Sequence, residues 1–326
     1  MPELLRALSI EIPVKVTGFK PGSPWAHLND KIHNYTFTPA EIVRAAIVAG
    51  YWDEVSIPSP EYRQWRAAAI RIAARIAHRT LVRPPEWGLL DSSEKAMITS
   101  LLGVVVTKLL AEKILGAPYL LFLDVHFHLI RQPGTPKVRP DFVALAPKGT
   151  EWVYFSLEAK GRARFSQASF EKGKKQAESL GYVDGKNVKA HVVCYTTLPR
   201  GEIMARFHDP KSDDEILHRA IAIQGEGLSR YYRSLQSILN IRDPVEESAK
   251  GLNMDGARLT RIPELDADVG IHPLVLGTLR NSPERLLSVL PEVAKLSRAS
   301  GGEVGLDGIV VVPGPSWTKD NLHTHP

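Results

Sequence analysis

The sequence predicts an α/β protein with a mixed sheet that carries helices on its faces. Between residues 92 and 199, the patterns follow in the order helix, strand, strand, strand, helix, strand. Short turns join the first three strands, which should therefore be antiparallel neighbours. A helical crossover precedes the fourth strand, which should run parallel to the third.

The composition is that of an ordinary globular protein with a modest basic excess. The chain has 326 residues, enough for two domains or one large one, and a net charge of +5. It has no run of about 18 apolar residues, and its N-terminus does not resemble a secretion signal. Its single cysteine, Cys194, cannot form an intramolecular disulfide. We therefore expect a cytoplasmic protein that does not enter membranes and whose charge is compatible with nucleic acid.

The N-terminal region, residues 1–83, is predicted to be an accessory region. Thr38 and Glu41 form a capping-box pattern that predicts the start of a helix. Residues 60–80 have the apolar spacing of a second helix, whose basic face could contact phosphates or simply face solvent. Three arginines would share that face: Arg71, Arg75 and Arg79.

The central region, residues 84–200, contains the predicted core. A long helix at 92–116 is apolar around most of its girth and should be buried, with Ser92 or Ser93 as its N-cap and Gly116 at its end. The remaining core elements are strands at 119–130, 138–146, 151–160 and 189–199, and an amphipathic helix at 165–181.

The C-terminal extension, residues 201–326, has a weaker pattern. We expect helices at 227–240 and 281–300 and a short buried strand at 306–314. The pattern does not indicate whether these elements extend the core sheet or form a separate lobe.

Charged residues stand at the ends of two apolar strands in the core. Glu158 and Lys160 are two residues apart, so they point to the same face of their strand. If the strand after Asp141 pairs with the strand that contains Glu158, the two carboxylates lie side by side. Two adjacent carboxylates repel each other, and a divalent cation such as Mg²⁺ removes that cost.

The residues Arg139-Pro140-Asp141, followed by Glu158-Ala159-Lys160, resemble the motif of the PD-(D/E)XK nuclease superfamily. The resemblance covers roughly residues 92–199 and includes the order of elements. It implies a restriction-endonuclease-like core of the αβββαβ type, flanked by mostly helical N-terminal and mixed C-terminal extensions.

The resemblance also implies roles for individual residues. Asp141 and Glu158 would hold Mg²⁺, or Mn²⁺, together with the backbone carbonyl of Ala159, and Lys160 would be the catalytic lysine. Many members add an acid from the first core helix, for which Glu94 and Glu112 are the candidates. They stand about 27 Å apart along a helix, so at most one can reach the site, and we favour Glu94. A polar residue on the following helix, Gln176 or Lys175, would assist.

A basic segment follows the motif and would contact the phosphates of the substrate. Its cationic residues are Arg162, Arg164, Lys172, Lys174 and Lys175.

The expected function is metal-dependent hydrolysis of DNA by an endonuclease of the restriction or phage-defence kind. A homodimer and a partner subunit of a defence system are both compatible with it. The alternatives are an inactive scaffold that binds nucleic acid or protein, and a nuclease directed to RNA or DNA junctions. The motif could also be only a Glu158–Lys160 ion pair, and His126 and His128 fit a strand face better than a zinc site.

Overall fold

The computed structural model describes most of the core and parts of both flanking regions. Its helices are α1 (Pro39–Val48), α2 (Ser92–Leu115), α3 (Gln167–Glu178), α4 (Pro273–Asn281) and α5 (Leu286–Ala299). The described residues are 10–48, 75–77, 80–82, 85–123, 138–199, 203–210, 219–223, 228, 231, 232, 235, 244–245, 259–263 and 266–317.

Sixteen strands are described. The first eight in chain order are β1 (Ile10–Thr17), β2 (Lys31–Phe37), β3 (Arg75–Ala77), β4 (Thr80–Val82), β5 (Tyr119–Phe122), β6 (Phe142–Lys148), β7 (Glu151–Arg162) and β8 (Leu180–Val183). The others are β9 (Lys186–Asn187), β10 (His191–Thr197), β11 (Met204–His208), β12 (Arg219–Ile221), β13 (Pro244–Val245), β14 (Leu259–Ile262), β15 (Ala267–Ile271) and β16 (Ile309–Pro313).

Nine of these strands form one mixed sheet, in the order β3-β4-β1-β11-β10-β7-β6-β5, with β2 paired to β1. The predicted strand pairings are found: β5, β6 and β7 are antiparallel neighbours, and β10 runs parallel to β7. Two short strands that were not predicted, β8 and β9, lie between α3 and β10. The α/β class is therefore confirmed. The sheet also crosses both predicted domain boundaries, since β1 to β4 precede residue 84 and β11 follows residue 200.

Helix ends follow the local sequence. The backbone N–H of Thr38 donates to the Glu41 carboxylate at 2.6 Å, which confirms the predicted capping box of α1. The N-cap of α2 is Asp91, not Ser92 or Ser93. Its carboxylate accepts from the N–H groups of Ser93 and Glu94 and complements the positive end of the helix dipole.

The predicted helix at 60–80 is wrong at its C-terminal end. Residues 75–77 and 80–82 form an antiparallel pair of strands, because pairing within the sheet outweighs the local preference for helix. Arg75 lies in β3 and cannot share a helical face with Arg71 and Arg79, which lie outside the described residues. His126 and His128 also lie outside them.

Most residues of the long helix α2 from Ile98 onward are buried, as predicted, and the helix ends at Gly116 with φ 64°. It lies directly on the backbone of β7. A Cβ atom on Gly161 would be 1.7 Å from the carbonyl oxygen of Thr99, and one on Gly103 would be 2.7 Å from the backbone nitrogen of Gly161. Both glycines are therefore required by the contact, and neither position can hold a side chain.

Buried charges connect the segment just before β16 to helices α1 and α2. Arg44 and Lys108 both lie within 4.0 Å of the carboxylates of Glu112 and Asp307. The hydroxyl of Tyr231 donates to Asp307 at 2.6 Å. Each buried charge thus has a partner of opposite sign, which offsets part of its desolvation cost.

Asp209 directly follows β11 at one end of the main sheet. Its carboxylate accepts from the N–H of His191 at 3.0 Å, and burial raises its pKa to about 7. A cleft of about 420 Å³ lies at this end, lined in part by Lys20, Trp25 and Asp209, and contains no predicted site residue.

Among the described helices, none is long and apolar enough to cross a membrane.

We expect Gly161→Ala to lower the free energy of unfolding by about 3 kcal/mol or more, because the new methyl group overlaps the α2 backbone. Gly277→Ala is the matched control: a Cβ there meets no atom within 4 Å, so the change should stabilise α4 by about 0.5–1 kcal/mol. Urea denaturation followed by circular dichroism measures both. Equal stabilities would contradict the close contact.

We expect stability to fall as the pH rises through about 7, in part because of Asp209. Its pKa is raised on folding, so its contribution is complete below its ordinary pKa of about 4 and is lost once the buried carboxyl ionises. Asp209→Asn should make the unfolding free energy fall less between pH 5 and pH 8 than in wild type. Glu151→Gln, at an exposed carboxyl, is the control, and identical slopes for the two variants would refute the assignment.

Candidate active site

The two carboxylates predicted to meet do so. In the β6–β7 pair Phe142 stands opposite Leu157, which places Asp141 beside Glu158. The N–H of Asp141 donates to the Glu158 carboxylate at 2.9 Å, and the N–H of Ala159 donates to the Asp141 carboxylate at 3.1 Å. Each side chain therefore fixes the backbone of the neighbouring strand.

Lys160 lies on the same face, and its ammonium group donates to the Glu158 carboxylate. Helix α3 covers this pair, and Gly173 leaves the room it needs. A Cβ atom at Gly173 would be 3.5 Å from the Cε of Lys160 and 3.1 Å from a methyl carbon of Val193. A side chain there would therefore crowd Val193 first, while the helix backbone already lies close to the lysine stem.

The electrostatics of the pair are those of charges held away from water. Glu158 is fully buried, and burial, followed by the charge of Asp141, raises its pKa to about 8. Burial also raises the pKa of Asp141, although Lys160 partly opposes the shift. The carboxylates therefore lack the positive charge that would let both ionise fully near neutral pH.

The carbonyl of Ala159 points toward the same side of β7 as its N–H, because both groups of a strand residue face the same neighbouring strand. That N–H donates to Asp141, at the point where β6 begins. The carbonyl oxygen thus faces the side of β7 on which Asp141 lies.

Gln176 brings an unsatisfied oxygen to the same region. Its side-chain N–H donates to the carbonyl of Arg139 at 3.3 Å, two residues before Asp141. Its amide oxygen is buried and has no hydrogen-bond partner. Since a buried polar atom without a partner is costly, this oxygen indicates a missing donor or cation.

These oxygens fit Mg²⁺ better than zinc. Carboxylate, carbonyl and amide oxygens are hard ligands, and Mg²⁺ keeps several waters, so few protein ligands suffice. Within the described ranges, no three His, Cys, Asp or Glu side chains form a group that could hold a metal ion, so an ion here would depend on two carboxylates and on neutral oxygens. Asp141, Glu158, the Ala159 carbonyl and the Gln176 amide would hold the ion, with water completing its shell.

The candidate acids of α2 are used elsewhere. The Glu94 carboxylate accepts from the N–H of Asp91 at 2.9 Å, as part of the helix cap, and its residue is exposed. Glu112 belongs to the buried group with Arg44 and Lys108. The sheet face that packs on α2 is opposite to the one that carries Glu158, so neither acid joins the carboxylate pair.

The basic residues after the motif lie at the surface of the same region. Arg162 ends β7 and donates to the carbonyl of Gly161 at 2.9 Å, while Lys174 pairs with Glu171 at 2.8 Å. Four of these cationic residues are exposed: Arg162, Arg164, Lys172 and Lys175.

One basic residue of this region, Arg206, was not predicted from the sequence. The guanidinium of Arg206 lies 4.0 Å from the centre of the Phe165 ring, beside the loop that leads into α3. Arg206 is 46 positions after Lys160 in the sequence, and only the pairing of β10 with β11 brings it near. Alternation along β11 could have indicated an outward-facing arginine, but not its neighbours.

Comparison of the chain with protein-family models, curated proteins and solved structures found no match. The interpretation of the site therefore depends on its geometry and on the motif.

We expect Mn²⁺ to bind to the wild-type protein in titration calorimetry and Glu158→Ala to abolish that binding. Affinity should rise as the pH approaches about 8, since the cation must displace the proton that burial holds on Glu158. Glu151→Ala removes an exposed carboxylate from the same strand and should bind Mn²⁺ as wild type does. Equal binding by the two variants would exclude a metal role for Glu158.

Proposed function

We propose that the chain is a metal-dependent nuclease that hydrolyses phosphodiester bonds of DNA, an endonuclease of the restriction or phage-defence kind. The proposal rests on one observation above all. Asp141, Glu158 and Lys160 converge on one sheet face, at the ends of adjacent strands. The αβββαβ order of elements around them supports a restriction-endonuclease-like core at residues 84–200, with the flanking regions in substrate recognition.

Four residues would bind the metal ion, and Lys160 would act on a proton or on the phosphate. Asp141, Glu158 and the carbonyl of Ala159 hold the Mg²⁺ ion, and Gln176 orients a water molecule or the ion through its amide oxygen. When bound, the ion supplies positive charge that lowers the pKa of water and stabilises charge on the phosphate. The other steps belong to side chains of this chain.

Lys160 is the group placed to handle a proton or a phosphate oxygen. Its ammonium carries three donors, of which Glu158 accepts one. The other two can donate to the scissile phosphate or to the attacking water. Helix α3 limits the side chain to this region, because Gly173 packs against its stem. Such fixed positioning lowers the barrier without reorganisation at the moment of reaction.

A second candidate function is an inactive scaffold that keeps the fold and binds nucleic acid or a partner protein. The placement of Glu94 and Glu112 favours it, because α2 contributes no acid to the pair. Such a scaffold would retain nucleic-acid binding but lack divalent binding that depends on Glu158. A nuclease directed to RNA or DNA junctions would keep the same chemistry.

Cleavage assays test the proposal. We expect wild-type protein with Mg²⁺ or Mn²⁺ to cut plasmid or linear DNA, and Asp141→Ala and Lys160→Ala to cut at least about a hundredfold more slowly. Lys148→Ala, an exposed lysine at the far end of β6, should cut normally. Single-stranded DNA, branched DNA and RNA serve as parallel substrates. The proposal fails if no substrate is cut, or if the Lys160 variant cuts as well as wild type.

A further inference from the structure

We propose that Arg206 and Lys15 form a path for the backbone of duplex DNA across the open part of the main sheet. These two residues continue a row of strand partners that begins at Lys160, and the first two members of the row, Lys160 and Tyr195, lie under α3. The identity of the partner rests on the proposed nuclease function, but the surface itself follows from strand register. Neither residue belongs to the motif or to the basic segment after it.

The register places the residues in one row. Lys160 on β7 stands opposite Tyr195 on β10, and Tyr195 stands opposite Arg206 on β11. Arg206 in turn stands opposite Lys15 on β1. Partners in register point to the same face of a sheet, so Arg206 and Lys15 share the face of the catalytic lysine.

Burial along β1 confirms which way Lys15 points. Ile12, Val14 and Val16 point to the opposite face of β1 and are fully buried, while Lys15 is exposed. On β11, Ala205 and Phe207 are fully buried in the same way. A shift of one residue would bury a charge, so the pattern fixes both cations on the outer face.

Among the described helices, α3 packs on this face over β7 and β10, and the face continues past it across β11, β1 and β2. Ile32 on β2, opposite Lys15, is 60% exposed. Among the described residues near this face, Glu171 is paired with Lys174, and Glu11 lies at the other end of β1. The described part of the surface around Lys15 and Ile32 is therefore exposed and mainly basic.

Arg206 is positioned to bind a phosphate. The central carbon of its guanidinium lies 4.0 Å from the centre of the Phe165 ring, a contact that positions the group, and the guanidinium N–H groups can donate to a phosphate. Strands are about 4.8 Å apart, so Lys160 and Lys15 are separated by roughly 14 Å. Along the axis of a duplex, that distance corresponds to about four base pairs.

Duplex DNA fits this surface better than a single strand. Proteins that bind single strands stack successive bases on exposed aromatic rings. Here Tyr195 is fully buried and Phe165 lies under Arg206, so the row offers charge without a stacking platform. Contacts to phosphates alone are independent of base sequence and position the duplex at the active site.

Binding measured without catalysis tests the path. Fluorescence anisotropy with a labelled 20-base-pair duplex, in EDTA, gives the dissociation constant at several KCl concentrations. We expect Lys15→Gln and Arg206→Gln each to weaken binding several-fold and to lower the slope of log K against log salt by about 1. Lys148→Gln, with the same change of charge at the far end of β6, should bind as wild type.

The outcomes separate this path from the proposed nuclease function. If both variants bind as the Lys148 control does, the path is refuted even when the enzyme cleaves DNA. If they weaken binding but no substrate is ever cut, the path holds and the nuclease proposal fails. Tighter binding of a single strand or of duplex RNA would overturn the choice of duplex DNA. Lys15 is exposed, so its variant should fold, and thermal melting checks both.

Discussion

The contact between the backbones of α2 and β7 is the constraint on which the candidate site depends. Gly103 and Gly161 have no side chains to separate the two elements, so helix and strand approach as closely as their backbones allow. This contact fixes which face of β7 is buried against α2. Glu158 and Lys160 then necessarily lie on the other face, under α3, because strand side chains alternate. A slip of one residue would exchange the faces and place Lys160 against the helix.

What the sequence could predict was local or periodic. Alternation along one strand predicted that Glu158 and Lys160 share a face, and one pairing of strands then placed Asp141 beside them. The strands β3 and β4 were not predicted, because residues 60–80 have the apolar spacing of a helix. Residues 75–77 form a strand only because they pair with β4 in the sheet. The N-cap of α2 was predicted at the wrong residue. Asp91 and the two serines after it are all good N-caps, and the backbone geometry decides which of them caps the helix.

The unpredicted parts of the site depend on contacts between distant segments. The resemblance named Gln176, but not its contact with the carbonyl of Arg139, which requires α3 to lie beside the segment before β6. The row from Lys160 to Lys15 requires four strands in register. Residues so far apart in sequence leave no spacing by which a single chain can indicate their proximity. The motif therefore predicted the groups that would do chemistry, whereas the surface that would deliver a substrate appeared only in the fold.

Charge at the site explains why binding and cleavage should depend on different residues. With Asp141, Glu158 and Lys160 all ionised, the net charge is −1, which repels phosphate. A divalent cation changes that charge to +1, so under the proposed function the ion and the substrate favour each other's binding. Arg206 and Lys15 lie outside this group and attract a polyanion whether or not the ion is present. Their charge would hold DNA on the sheet, and the cation would then bring one phosphate to Lys160.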